Sequence, residues 1–199
     1  MGKPELFSYL SAFVTIVLAV ALTDMIQSTH RLLRARRRVQ WDARPLVLAA
    51  IVAIAVISEF FSLWSKLDRE AISMGRLLWL LTTPTVFALL AYAVLPDDVP
   101  EAGIDLTAFW QDERRSWAIL LVMVTLLDFA RGVEEAASAG YPLRGFLTFG
   151  APLLIASLAS FAMIFFARGK LWSWAGLLLY SAVVVYVVMG WTVAADATA

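Results

Sequence analysis

The run from Gly145 to Ala167, GFLTFGAPLLIASLASFAMIFFA, is followed after Arg168, Gly169 and Lys170 by a second run from Leu171 to Thr192, LWSWAGLLLYSAVVVYVVMGWT. Neither run contains a charged residue. A hydrocarbon layer about 30 Å thick is crossed by about 20 residues of α-helix, so each run is long enough to span a bilayer. The Arg-Gly-Lys between them is too short for anything but a tight turn, which makes the pair a transmembrane hairpin.

Four more segments meet the same criterion, giving expected helices over 6–30, 45–66, 73–95, 116–136, 145–167 and 171–192. The fourth is the shortest, and its later part carries Asp128, Arg131, Glu134 and Glu135. Composition agrees. Of 199 residues, 61% are hydrophobic and 16% charged, against roughly 25% charged in a soluble domain. The expected fold is an all-α integral membrane protein of six transmembrane helices, a single polytopic domain over 1–199.

The apolar run from Leu6 follows Lys3 and reaches the small residues Ala19 and Ala21, the outline of a cleavable leader. It continues past those residues into an arginine-rich flank, so it is read as the first helix. Arg31, Arg34, Arg36, Arg37, Arg38, Arg44, Arg114, Arg115, Arg168 and Lys170 fall on one side of the expected membrane. Lys3, Lys66, Arg69, Arg76, Arg131 and Arg144 fall on the other. The ten-to-six bias places the first group in the cytoplasm and both termini outside, in a cell membrane. Trp172, Trp174 and Trp191 bracket the last helix, while Trp41, Trp110 and Trp117 lie near the cytoplasmic boundary. Between Pro96 and Arg115, the residues Leu106, Phe109, Trp110 and Glu113 recur at helical spacing, which predicts a short helix over 104–113 lying on the membrane surface.

Short similarities link the two halves of the chain. Leu22-Thr23-Asp24-Met25 corresponds to Leu126-Leu127-Asp128-Phe129, Pro45-Leu46 to Pro142-Leu143, and Gly75 to Gly176 with their following apolar residues. Three helices per half would make the halves inverted, as in several transporter folds.

Ionisable residues within an apolar layer are costly and mark candidate sites. Asp24, Gln27 and Arg31 share one face of the first helix, with Thr23 beside them. Glu59 lies in the outer half of the second helix, at the same expected depth as Arg76 in the third, which predicts a structural ion pair. Asp128 sits near mid-depth, with Arg131 three residues on along the same face. Thr82, Thr83 and Thr85 surround Pro84, where a lost backbone hydrogen bond frees a carbonyl. Asp24, Asp128, Glu59, Thr23, Gln27, Thr82, Thr83 and Thr85 are therefore candidates for an ion or substrate path. Arg31, Arg34, Arg36, Arg37, Arg38 and Arg44 set the topology or meet anionic lipid headgroups. Ala49 with Ala53, and Ala156 with Ser160, permit close helix approach within the chain or between subunits of a homo-oligomer.

Zero net charge argues against nucleic-acid binding. The lack of Cys and the single histidine, His30, argue against thiolate, iron–sulfur and bis-histidine metal sites, so no cofactor or metal is expected. No phosphate loop, nucleophile elbow or metal-binding histidine pair points to an enzyme. The expected partner is the lipid bilayer. The expected function is a small transporter or ion channel; the alternative is a non-catalytic scaffold, sensor or partner subunit acting through helix packing and the arginine-rich loop.

Overall fold

The computed structural model describes residues 3–64, 74–138, 140–166 and 169–196, with side chains over 9–62, 77–138, 140–166 and 169–189. The helices are α1 (Lys3–Arg34), α2 (Ala43–Trp64), α3 (Met74–Val94), α4 (Leu106–Ser138), α5 (Leu143–Phe166) and α6 (Lys170–Asp196). Two two-residue strands, β1 (Val39–Gln40) and β2 (Ile104–Asp105), lie just before α2 and α4. Among the described residues, six helices are long and apolar enough to cross a membrane.

Helices α1, α5 and α6 extend a few residues beyond their expected starts or ends. The larger difference concerns α4. The separate surface helix expected over 104–113 is instead β2 followed by the opening turns of one helix of 33 residues. No proline interrupts residues 106–138, so nothing breaks the backbone ladder. Trp110 and Trp117, expected as interfacial anchors, are both buried, their rings in contact with centroids 4.6 Å apart and planes tilted by 42°. Leu106, Trp110 and Trp117 bury one face of the first turns of α4, while Gln111, Asp112 and Arg115 on the same turns stay exposed. Trp172 is exposed at the start of α6; the Trp191 side chain lies outside the described residues.

The chain divides into two compact units, 1–120 and 121–199, with the boundary inside α4. In the first, α1, α2 and α3 pack against one another, α1 most extensively on α3. Val14, Leu18, Ala21, Met25 and Leu32 form one buried stripe of α1 at three- and four-residue steps. Leu48, Val52 and Val56 supply α2, while Phe87, Leu90, Ala91 and Val94 supply α3.

In the second unit α5 packs along α6, with Phe161 edge-on to Tyr180 at 4.9 Å between ring centroids. At Gly176 a β-carbon would stand 2.7 Å from the Ser160 carbonyl oxygen and 2.7 Å from Ile164. Ser160 and Gly176 thus bring the two backbones together, so Ser160 serves packing inside the chain. The end of α4 is closed by Gly140 at φ 73°, with Tyr141 N–H donating to the Ala136 carbonyl and Gly140 N–H to that of Ala137. That is the paired bonding of a left-handed helix cap.

Candidate functional site

The start of α2 is the most fully constructed polar site in the first unit. Asp42 precedes the helix, and its Oδ1 accepts the Arg44 backbone N–H at 3.0 Å, satisfying a donor that the first turn leaves without a helical partner. The same carboxylate receives the Arg44 Nε at 3.0 Å and its Nη2. Thr107 Oγ1, from the opening of α4, donates to Oδ2 at 3.2 Å. The Arg44 guanidinium lies 5.4 Å from the centre of the Trp110 ring, a cation–π distance. Arg44 is buried despite its charge.

Hydrogen bonds from the Arg44 side chain, then from its backbone N–H, with the nearby positive charge and the Thr107 hydroxyl, outweigh the opposing effect of burial and hold the Asp42 carboxyl below its ordinary value of 3.8. Asp105 repeats the capping on α4, its Oδ1 accepting the Thr107 N–H at 2.7 Å. β1 and β2 run parallel, with Val39 opposite Ile104 and Gln40 opposite Asp105. Both capped helices therefore leave from one two-stranded bridge. Gly103, at φ 91°, lies directly against the Arg38 carbonyl and leaves no room for a β-carbon.

A second cluster ties α1 to the segment after α3. Arg31 donates to the Asp97 carbonyl oxygen and, at 3.4 Å, to Gln27 Oε1. Asp24 is half-buried within electrostatic reach of both Asp97 and Arg31. Thr23 is exposed, and its hydroxyl bonds the Ala19 carbonyl at 2.8 Å on its own helix. Asp24, Gln27 and Arg31 thus sit together at one end of the unit, and Thr23 faces away.

Further polar side chains lie inside the first unit. Glu59 is 5% exposed and Ser28 1% exposed, and Ser62 and Thr83 are equally shut in. Ser28 Oγ has no hydrogen-bond partner among the described residues. At 1.5 Å of rise per residue, Ser28 lies about 9 Å from the end of α1, Thr83 about 16 Å from the end of α3 and Glu59 about 24 Å from the start of α2. Those three helix ends are joined by the Arg31–Asp97 bond and the short 35–42 connection. The polar groups are consequently staggered along the unit.

The three threonines around Pro84 differ in burial. α3 continues through Pro84, Thr82 and Thr85 are exposed, and only Thr83 is buried. The Thr85 hydroxyl bonds the Leu81 carbonyl at 2.7 Å. α3 packs on α2, but the Arg76 side chain of the expected Glu59–Arg76 pair lies outside the described residues.

In the second unit Asp128 Oδ1 meets Arg131 Nη2 at 3.0 Å, one turn along α4. The buried Tyr180 side chain is hydrogen-bonded to Thr125 and lies within electrostatic reach of Asp128. Tyr180 and Thr125 had no sequence signal of their own, since each lies in an apolar run and the contact joins residues far apart in the chain.

Comparison of the chain with family models, curated proteins and solved structures finds no match in any of the three.

Proposed function

We propose that the chain is a multi-pass membrane protein that moves an ion or small solute, with the path running through the first unit past Glu59. The observation that carries this reading is a carboxylate enclosed among apolar helices, in a unit that also encloses Ser28, Ser62 and Thr83. An acidic side chain within the hydrocarbon layer costs about 2.5 to 3.5 kcal/mol at the centre of a helix. A staggered set of hydroxyls and a carboxylate is the equipment for passing a cation or proton by steps. Asp24, near Arg31 and Asp97, stands at the cytoplasmic mouth. Asp128 is a weaker path residue than Glu59, because Arg131 neutralises it from the same helix.

The test is flux in liposomes under K⁺, Na⁺ or H⁺ gradients at equal protein incorporation. Wild type carries one of these ions, Glu59→Gln loses most of the flux, Asp24→Asn reduces it and Asp128→Asn leaves it largely intact. No flux in wild type under any gradient, or full flux in Glu59→Gln, rejects the reading.

One observation favours the alternative of a non-catalytic scaffold or partner subunit. In the second unit, the buried Ser157 and Ser160 hydroxyls are bonded to carbonyls of their own helix, and the Ser160–Gly176 approach is built for packing. Co-purification of a fixed membrane partner, with a silent flux assay, would put that reading first.

A further inference from the structure

The structure has a second kind of polar equipment, on the outside of the first unit at the end where α1 stops. Arg34 closes α1, and Arg36–Arg38 form a single 3-10 turn in which all three arginines are exposed. Arg34, Arg36 and Arg37 make no hydrogen bond or ion pair with their side chains among the described residues. Exposed acids at this end are Asp97, Asp98 and Glu101 on the segment after α3. The arginines nearest to them are engaged through backbone carbonyls, Arg31 with Asp97 and Arg38 with Glu101. Three guanidinium groups therefore remain available on one short stretch.

The turn that carries them is held from several directions. Arg38 N–H donates to the Ala35 carbonyl at 2.7 Å and Ala35 N–H to that of Arg31 at 3.0 Å. Val39 and Gln40 are paired with β2, and Gly103 packs against the Arg38 carbonyl. Trp41, 44% exposed, donates its indole N–H to the Arg36 carbonyl at 3.3 Å. Leu33, 56% exposed, flanks the turn on the helix side. An anion binding here meets donors on a fixed backbone, which lowers the ordering cost of association. It also meets apolar surface on both sides of the charge.

We infer that this arginine turn is a docking site for the phosphate-bearing headgroup of an anionic membrane lipid. Guanidinium groups recognise phosphate oxygens with paired donors. A tryptophan and a leucine beside the charge suit an amphiphile whose chains continue into the apolar layer, whereas a free anion makes no use of them. The inference rests on the spanning reading of the six helices, which brings the turn to the cytoplasmic leaflet, where anionic lipid is concentrated.

The test uses the full-length protein in detergent, with native mass spectrometry counting the lipid retained on titration with phosphatidylglycerol, phosphatidylcholine or inorganic phosphate. Each arginine near an anionic surface contributes roughly fivefold in binding, so Arg34→Gln/Arg36→Gln/Arg37→Gln weakens phosphatidylglycerol retention by about a hundredfold. Arg115→Gln/Arg144→Gln/Lys170→Gln removes equal charge from other exposed positions and leaves retention unchanged. To separate binding from folding, wild-type retention is also measured against salt and falls as ionic strength rises. The inference is overturned by weakening of less than about tenfold in the first variant, by equal loss in the control, by salt-independent retention, by equal retention of phosphatidylcholine, or by inorganic phosphate displacing the lipid at matched concentration. Loss of ion flux in Glu59→Gln with lipid retention intact keeps this test separate from that of the transport reading.

Discussion

Asp42 holds Arg44 twice, once through the backbone N–H and once through the guanidinium. One carboxylate thereby caps α2 and neutralises a cation that Trp110 shields from the other side. The two roles separate by mutation. Asparagine caps a helix nearly as well as aspartate, but it leaves the buried guanidinium without a counter-charge.

Asp42→Asn should destabilise the detergent-solubilised protein by about 3 kcal/mol, in the range for removing one partner of a buried pair. Asp42→Asn with Arg44→Met should recover part of that loss, because the uncompensated charge is gone. Chemical denaturation of the four species gives the coupling, and simple additivity of the single effects would show that the pair contributes nothing beyond the cap.

The same carboxylate sets an acid limit. Its folded-state value is lowered, so the stabilisation is present above the ordinary value of 3.8 and disappears as pH falls through the lowered one. Between pH 7 and pH 5 the Asp42 contribution should be constant. The wild-type advantage over Asp42→Asn should shrink only below about pH 4, and an advantage already lost at pH 5 would mean that the carboxylate is not held down by Arg44.

Gly103 and Gly176 are required for different reasons. Gly103→Ala forces a positive φ on an alanine and a β-carbon against the Arg38 carbonyl, and should cost about 1 to 3 kcal/mol. Gly176→Ala has an ordinary helical backbone but meets Ser160 and Ile164, so it should separate α5 from α6 and lower the melting temperature. Gly169→Ala, with nothing within 4 Å of the added carbon but at the N-cap of α6, should lose only the capping preference and cost no more than about 1 kcal/mol. Melting temperatures for Gly103→Ala and Gly176→Ala no lower than that of Gly169→Ala would refute both arguments.

The proposed orientation is open to a direct check, because the chain has no cysteine of its own. Gln40→Cys, at an exposed position, should resist a membrane-impermeant maleimide in intact cells, and Thr198→Cys should react. The reverse pattern would invert the topology and move the arginine turn to the outer leaflet.

The six helices were legible because an apolar run of about 20 residues has few alternatives once its hydropathy is this high. The first part of α4 was not, since Leu106, Phe109, Trp110 and Glu113 present an amphipathic period that suits either a membrane surface or a partner inside the protein. What decides between them is Trp117 and Arg44, the latter more than 60 residues earlier in the chain.

Arg44 was read among the topology charges with its neighbours, although Asp42 before the helix and Pro45 in its first turn already carried a cap signature. The Asp128–Arg131 pair was visible from its spacing, because both partners lie on one helix. The Thr125 contact to Tyr180 was not, since it joins distant parts of the chain and nothing in either local stretch points to the other.

The parallel pairing of β1 with β2 also has a consequence for biosynthesis. Thr107 lies 65 residues after Asp42, and both intervening helices must be made before it emerges. At roughly 5 to 20 residues per second, the Asp42–Arg44 pair waits about 3 to 13 s on the ribosome-bound chain without the Thr107 hydroxyl. During that interval β1 has no strand to pair with. Arrival of residues 103–110 supplies that strand, so truncation just before Ile104 should leave a nascent chain that membrane quality-control proteases recognise, while truncation after Trp117 should not.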